Sequence, residues 1–151
     1  MIINQINRKL KVKILSSLLI DFRVVHQTGE LDLPRFRKIR ESLPTEQQTR
    51  YECFSFCSPF EIYKVYKRAD VVVGRAGANT VSEVLVAGRP AIYIPIPWSI
   101  FNEQERNAKY AQKIGVAKIT LGAPTALALM QRFVVKRSPR HSIQIYRQEV
   151  R

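Results

Sequence analysis

The chain has 151 residues, 46% hydrophobic and 25% charged, a globular balance that excludes disordered, collagen-like and low-complexity classes. Its formal net charge is +13, and its apolar runs, such as Val71–Val73 and Ala91–Ile96, fall far short of the roughly 20 residues of a membrane span. Two cysteines, Cys53 and Cys57, build no disulfide framework and no secretory pattern opens the chain, so a cytosolic domain is expected.

Ile3, Ile6, Leu10 and Ile14 are spaced 3, 4 and 4 and predict one helical face, with Arg8, Lys9, Lys11 and Lys13 mostly off it. Phe22–His26 is β-rich and is broken by Thr28-Gly29. Residues 32–43 read as a helix stopped by Pro44, and Tyr51–Cys57 as a strand. Ser58-Pro59 with Glu61 has the form of an N-cap, a proline at the first helical position and an acid in the first turn, opening a helix that runs to about Ala69. Asp70–Gly74 is short, β-branched and glycine-ended, the pattern of a buried parallel strand. Asn79–Ala87 reads as a helix closed by Gly88, Pro90–Pro95 as a strand, Asn102–Ile114 as a helix closed by Gly115, and Val116–Thr120 as the last strand. Ala123–Val135 has helical character, whereas Lys136–Arg151 has little periodicity.

Strands alternating with helices at this spacing predict βαβ units and an α/β fold: a Rossmann-like parallel sheet flanked by helices. Residues 1–120 form the expected domain and 121–151 a basic C-terminal segment without a predicted structure. The charge sits at the ends: +4 over residues 1–23, +6 over 117–151, and +3 over the long middle. An anionic membrane surface fits this field, as does a merely solvated basic surface. Nucleic acid is not an expected partner, because no zinc-finger spacing, basic zipper region or aromatic RNP-like strand is present. A basic RNA- or membrane-binding module with a Rossmann-like core stands as a third reading of function, and it would show a steep salt dependence of binding.

Ligands of open α/β sheets bind at the carboxyl ends of the strands, where the loops 57–60, 74–79 and 96–104 lie. Gly74-Arg75-Ala76-Gly77-Ala78-Asn79-Thr80-Val81-Ser82-Glu83 carries the most chemistry. Small residues let a ligand approach the backbone, and the loop opens directly into a helix whose free N–H groups suit phosphate oxygens. Arg75 adds positive charge, Thr80 and Ser82 add hydroxyls, and the Glu83 carboxylate suits a cis-diol such as that of ribose. A diphosphate beside a ribose describes a nucleotide. The stretch is neither a P-loop nor the G-x-G-x-x-G fingerprint, and a tight βα turn with a stabilising acid remains the alternative. Gln104 and Asn107 share one helical face, and their amides suit neutral sugar hydroxyls; the alternative is an Asn102 cap and a solvated Gln104. His26 reads as structural, and His141 falls in the tail. Cys53 and Cys57 form C-x3-C with no second pair, so no metal and no cofactor is expected.

Taken together these residues resemble the C-terminal domain of the MurG family of bacterial GT-B glycosyltransferases. The resemblance rests on His26–Gly29, Ala69–Glu83, Ala87-Gly88-Arg89-Pro90-Ala91, and Gln104 with Asn107-Ala108, in matching order across roughly residues 3–119. It implies a hexosyltransferase that moves N-acetylglucosamine from UDP-N-acetylglucosamine to lipid-linked muramyl-pentapeptide in peptidoglycan synthesis, on the inner face of the cell membrane. By position, Ala78, Asn79, Thr80, Val81, Ser82 and Glu83 resemble the stretch that holds the donor nucleotide. Gln104 resembles the residue that meets the N-acetylglucosamine, and Phe56-Cys57 stand where the family contacts uracil. The resemblance also implies that the acceptor site and the catalytic base lie in an N-terminal domain absent from this sequence. The first strand of the C-terminal domain, with its Gly-Gly-Ser-x-Gly loop, is expected to be missing as well. No catalytic residue is assigned here, and the chain alone is expected to be inactive. A non-catalytic UDP-sugar-binding subunit of a split glycosyltransferase is the alternative.

Overall fold

In a computed structural model of the chain, residues 8–120 and 142–146 are described, with side chains over 15–120. Helix α1 (Arg8–Asp21) leads into β1 (Arg23–Gln27). The crossover to β2 (Tyr51–Phe54) carries two helices, α2 (Leu33–Glu41) and the short α3 (Thr45–Thr49). The single helix expected over 32–43 therefore ends at Glu41. Pro44, with φ −54 and ψ 145, restarts the chain as the N-cap of α3, because proline forces the residue before it out of helical geometry.

Helix α4 (Pro59–Arg68) begins with a complete capping box. Ser58 Oγ accepts from the Glu61 N–H at 3.3 Å, and Glu61 Oε2 accepts from the Ser58 N–H at 2.9 Å. The Ser58 N–H and, at 2.8 Å, the Ser58 hydroxyl both donate to Glu61 Oε2 and hold the exposed Glu61 carboxyl below its ordinary range. The box turns the chain early, so β2 stops at Phe54 rather than Cys57. Then follow β3 (Val71–Gly74), α5 (Ala78–Ala87), β4 (Ala91–Tyr93), one turn of 3-10 helix (Ile100–Asn102), α6 (Glu103–Lys113) and β5 (Ala117–Ile119). Gly88 closes α5 with φ +66, a left-handed position that a side chain would strain.

The sheet has six strands in the order β2-β1-β6-β3-β4-β5, and every adjacent pair is parallel. Its residues alternate between two packed faces. Val71 and Val73 join Leu18, Leu19, Phe22 and Val24 under α1, whereas Val72 joins Tyr66, Val81, Val84, Tyr93 and Ala108 under α4, α5 and α6. Burial on both faces explains the unbroken Val71-Val72-Val73 run.

The sixth strand corrects the sequence reading. Ser142–Tyr146, in the stretch with little periodicity, forms β6. It fills the central slot of the sheet, with Ile143 opposite Val24 and Val71, Gln144 opposite Val25 and Val72, and Ile145 opposite His26 and Val73. The C-terminal segment thus supplies the strand that joins the two halves of the sheet. The helical character of Ala123–Val135 falls outside the described residues.

A central strand cannot lose a backbone donor cheaply. Gln144→Pro removes an N–H between two paired neighbours and is expected to lower stability by on the order of 2–3 kcal/mol. Thermal unfolding followed by circular dichroism checks this; an unchanged midpoint would remove β6 from the sheet.

Candidate functional site

The carboxyl ends of the strands bring together the loops that follow β2, β3 and β4. The centre is the turn from β3 into α5. Gly77 is the N-cap, with extended backbone at φ −63 and ψ 150, and it has no side chain to cap the helix. The Val81 N–H returns to the Gly77 carbonyl at 3.0 Å. The earlier N–H groups of the first turn therefore face the mouth of the site, where the helix dipole concentrates positive potential. Ala78 and Asn79 are exposed there.

The turn is held from behind by buried polar contacts. Arg75 is only 7% exposed and its Nη1 donates to the Ile94 carbonyl at 3.0 Å. Burial lowers its pKa from the ordinary guanidinium value, though it stays a cation at neutral pH. Expected as a free positive charge for phosphates, Arg75 is in the structure also a strut that ties the β3 loop to the end of β4. Asn107 Nδ2 donates to the Ala76 carbonyl at 3.0 Å. Gln104 Oε1 accepts from the Ile96 N–H at 3.1 Å, and the Gln104 N–H donates to Ser99 Oγ at 3.3 Å. Helix α6 thus fastens both neighbouring loops through the two amides expected to meet a sugar.

Because the Ile96 N–H needs an acceptor, the Gln104 amide is held through its oxygen, whereas Asn107 is held through its nitrogen. Gln104 is buried rather than solvated. Asn102 occupies the N-cap position of α6 without a side-chain cap hydrogen bond. Phe101 and Asn102 both hold left-handed backbone, φ 50 and 54, just before Gln104. Two consecutive non-glycine residues in that region are strained, and such strain concentrates where a loop is held for a purpose.

The remaining expected residues divide by burial. Val81 contributes no free group: its side chain lies in the core and its N–H is bonded to Gly77. Thr80 is buried, Ser82 is exposed, and Glu83 is half-buried. Cys57 is half-buried in the loop after β2 and packs against the second core cluster. Burial, then the Glu61 and Glu83 carboxylates, push its thiol pKa up. His26 is structural, with Nδ1 2.8 Å from Tyr51 Oη and its ring packed edge-on against Phe36 at 4.4 Å.

Tyr66 was missed by the sequence reading. It is a buried residue of α4 whose hydroxyl donates to Glu83 Oε2 at 3.4 Å. No local motif ties its hydroxyl to a residue 17 positions away. A separate cleft of about 350 Å³ lies at the opposite, amino ends of β1 and β2, lined by residues including Arg23, Arg37, Arg40, Glu41 and Glu52. Its guanidinium groups are partly offset by carboxylates, and none of the loops above reaches it.

A parallel sheet flanked by helices, with a small-residue loop running from a strand into a helix N-terminus, defines a Rossmann-like α/β domain. Residues 1–129 match the model of the glycosyltransferase family 28 C-terminal domain, and the chain belongs to that family. A UDP-N-acetylglucosamine--N-acetylmuramyl-(pentapeptide) pyrophosphoryl-undecaprenol N-acetylglucosamine transferase of Treponema denticola is 39% identical over 105 residues, covering 67% of this chain and 27% of that enzyme. The enzyme of the same name from Geobacter metallireducens is 35% identical over 99 residues, covering 66% of this chain and 26% of its own length. This chain thus spans about a quarter of these curated relatives. The crystal structure of Acinetobacter baumannii MurG superposes with a TM-score of 0.64 at 26% identity, over 83% of this chain and 36% of that one. The glycosyltransferase of kitacinnamycin shares the fold alone, with a TM-score of 0.51 at 20% identity.

The raised Cys57 thiol makes a pH prediction. Thiolate, the reactive form, is depleted at neutral pH relative to a free cysteine. Alkylation of the Cys57 peptide by iodoacetamide, followed by mass spectrometry, is expected to be slower than for free cysteine at pH 7.5 and to need a more alkaline solution to reach the same rate. A rate matching free cysteine at pH 7.5 would place Cys57 in water, away from the two carboxylates.

Proposed function

We propose that this chain is the donor-binding part of a hexosyltransferase. In this reading it holds UDP-N-acetylglucosamine while N-acetylglucosamine passes to lipid-linked muramyl-pentapeptide. The observation that carries the reading is the uncapped start of α5 directly after β3, with Glu83 part-way along the same helix. Phosphate oxygens accept from the free N–H groups of Ala78, Asn79 and Thr80, and Arg75 adds its charge from behind. The Glu83 carboxylate accepts from the ribose hydroxyls. Cys57 and its loop lie on the uracil side, and Gln104 Nε2 and Asn107 Oδ1 meet the sugar. The names of the curated relatives supply the substrates of this proposal, and the site chemistry is compatible with them.

The reaction asks little covalent chemistry of such a site. The acceptor hydroxyl attacks the anomeric carbon, the bond to the diphosphate breaks, and UDP leaves carrying the negative charge. A fixed array of N–H donors at the diphosphate stabilises that leaving group as its charge develops, without needing to reorganise. The proton of the attacking hydroxyl goes to a base that we assign to a partner domain or partner chain, together with the acceptor site. The lipid-linked acceptor places the work at the cytoplasmic membrane surface. Among the described residues no helix is long and apolar enough to cross a membrane, so association by surface contact is the mode proposed.

Calorimetric titration of the purified chain with UDP, UDP-N-acetylglucosamine and ADP tests the reading, with both uridine ligands expected to bind and ADP to bind more weakly. Glu83→Ala is expected to weaken UDP binding by about 1.5–3 kcal/mol through loss of charge-assisted hydrogen bonds. Unchanged affinity would remove Glu83 from the ribose. Sugar transfer assayed with the chain alone is expected to be undetectable, and robust turnover would show that a base lies within it.

A further inference from the structure

Tyr66, in the last turn of α4, and Glu83, in the middle of α5, come from different helices and their side-chain ends meet. Helical side chains lean toward the N-terminus of their own helix, and α4 and α5 both begin after strands at the carboxyl ends of the sheet, so both side chains lean the same way. The Tyr66 ring is 1% exposed, packed in the core cluster beneath these helices. Its hydroxyl is directed at one oxygen of a carboxylate, with Oη to Oε2 of 3.4 Å. Burial and the Glu83 charge both push the phenol pKa far up, so Tyr66 remains a hydrogen-bond donor at any physiological pH. A carboxylate has room for about four donors on its two oxygens, so one phenol leaves places for a diol.

We propose that Tyr66 is a positioning residue, whose hydroxyl orients the Glu83 carboxylate to receive the two hydroxyls of a ribose. The proposal rests on the nucleotide reading above. A free glutamate side chain samples several rotamers, and each binding event has to select one. A donor fixed by a rigid, buried ring makes that selection beforehand and lowers the ordering cost of binding. The contact is longer than the roughly 2.5–3.0 Å of strong O–H···O bonds, so its effect belongs at the modest end.

The test compares UDP with its 2′,3′-dideoxy analogue on the full chain, by calorimetry. Unaltered protein is expected to prefer UDP. Tyr66→Phe keeps the ring and removes only the hydroxyl. It is expected to weaken UDP binding roughly 2- to 10-fold and to leave the dideoxy analogue unchanged. In a Glu83→Ala background the same substitution is expected to do nothing. A purely packing role would weaken both ligands alike, and that result, or no change for either, overturns the proposal. If the unaltered protein binds UDP but does not distinguish it from the dideoxy analogue, the ribose assignment of Glu83 itself fails, and this inference falls with it. Should Tyr66→Phe not fold, unaltered chain labelled with 3-fluorotyrosine serves instead. UDP is expected to shift the Tyr66 fluorine resonance while the dideoxy analogue does not, and equal shifts overturn the proposal.

Discussion

The turn at Gly74–Ala78 is open in front and yet rigid. Its first helical N–H groups have no capping side chain, so nothing on the helix closes the turn from in front. Rigidity therefore comes from behind. The Arg75 guanidinium bonds the Ile94 carbonyl and the Asn107 amide bonds the Ala76 carbonyl. The β4 strand contributes too, because the Ile94 N–H donates to the Gly74 carbonyl at 2.8 Å. The Arg75 contact is buried, where an unmade hydrogen bond costs more than a made one gains. The shape of the turn is thus enforced by polar groups behind it. The empty front of the turn and its crowded back are two sides of one design.

The same constraint explains the amides of α6. Gln104 and Asn107 each fasten a loop backbone through one end of the amide. An amide is well suited to this, since its donor and acceptor sit on a single planar group and fixing one end fixes the direction of the other. The strained Phe101 and Asn102 set the start of α6 at the position from which both amides reach their loops. A side chain that only met the ligand would be freer to move and would lose more entropy on binding.

The sheet that carries these loops depends on a strand from beyond the family-matched part of the chain. The family model ends at residue 129, and β6 begins at Ser142. Residues 1–129 supply β1 and β2 on one side of the central slot and β3, β4 and β5 on the other. β6 hydrogen-bonds to both groups. Because the site loop grows directly from β3, the order of the site is mechanically connected to a segment with no site residues of its own.

Much of this was legible along the chain. The strands β1 to β5, the helices α2, α4, α5 and α6 and the α/β class, though not the short α3, follow from local signals: β-branched runs, the Ser58–Glu61 box, and Gly88 and Gly115 after helices. So do the small-residue loop and the acid that follows it, because a βα turn with free N–H groups is a short-range feature. Pairings between distant residues were not legible. The inward turn of Arg75, the removal of Val81 to the core and the approach of Tyr66 to Glu83 depend on how helices pack across the sheet, which no spacing in the sequence records. Most of all, Ser142–Tyr146 carries too weak a pattern to announce a strand. It becomes one because β1 and β3, which flank the central slot, leave their facing N–H and C=O groups in need of partners, and only the folded chain brings that need into being.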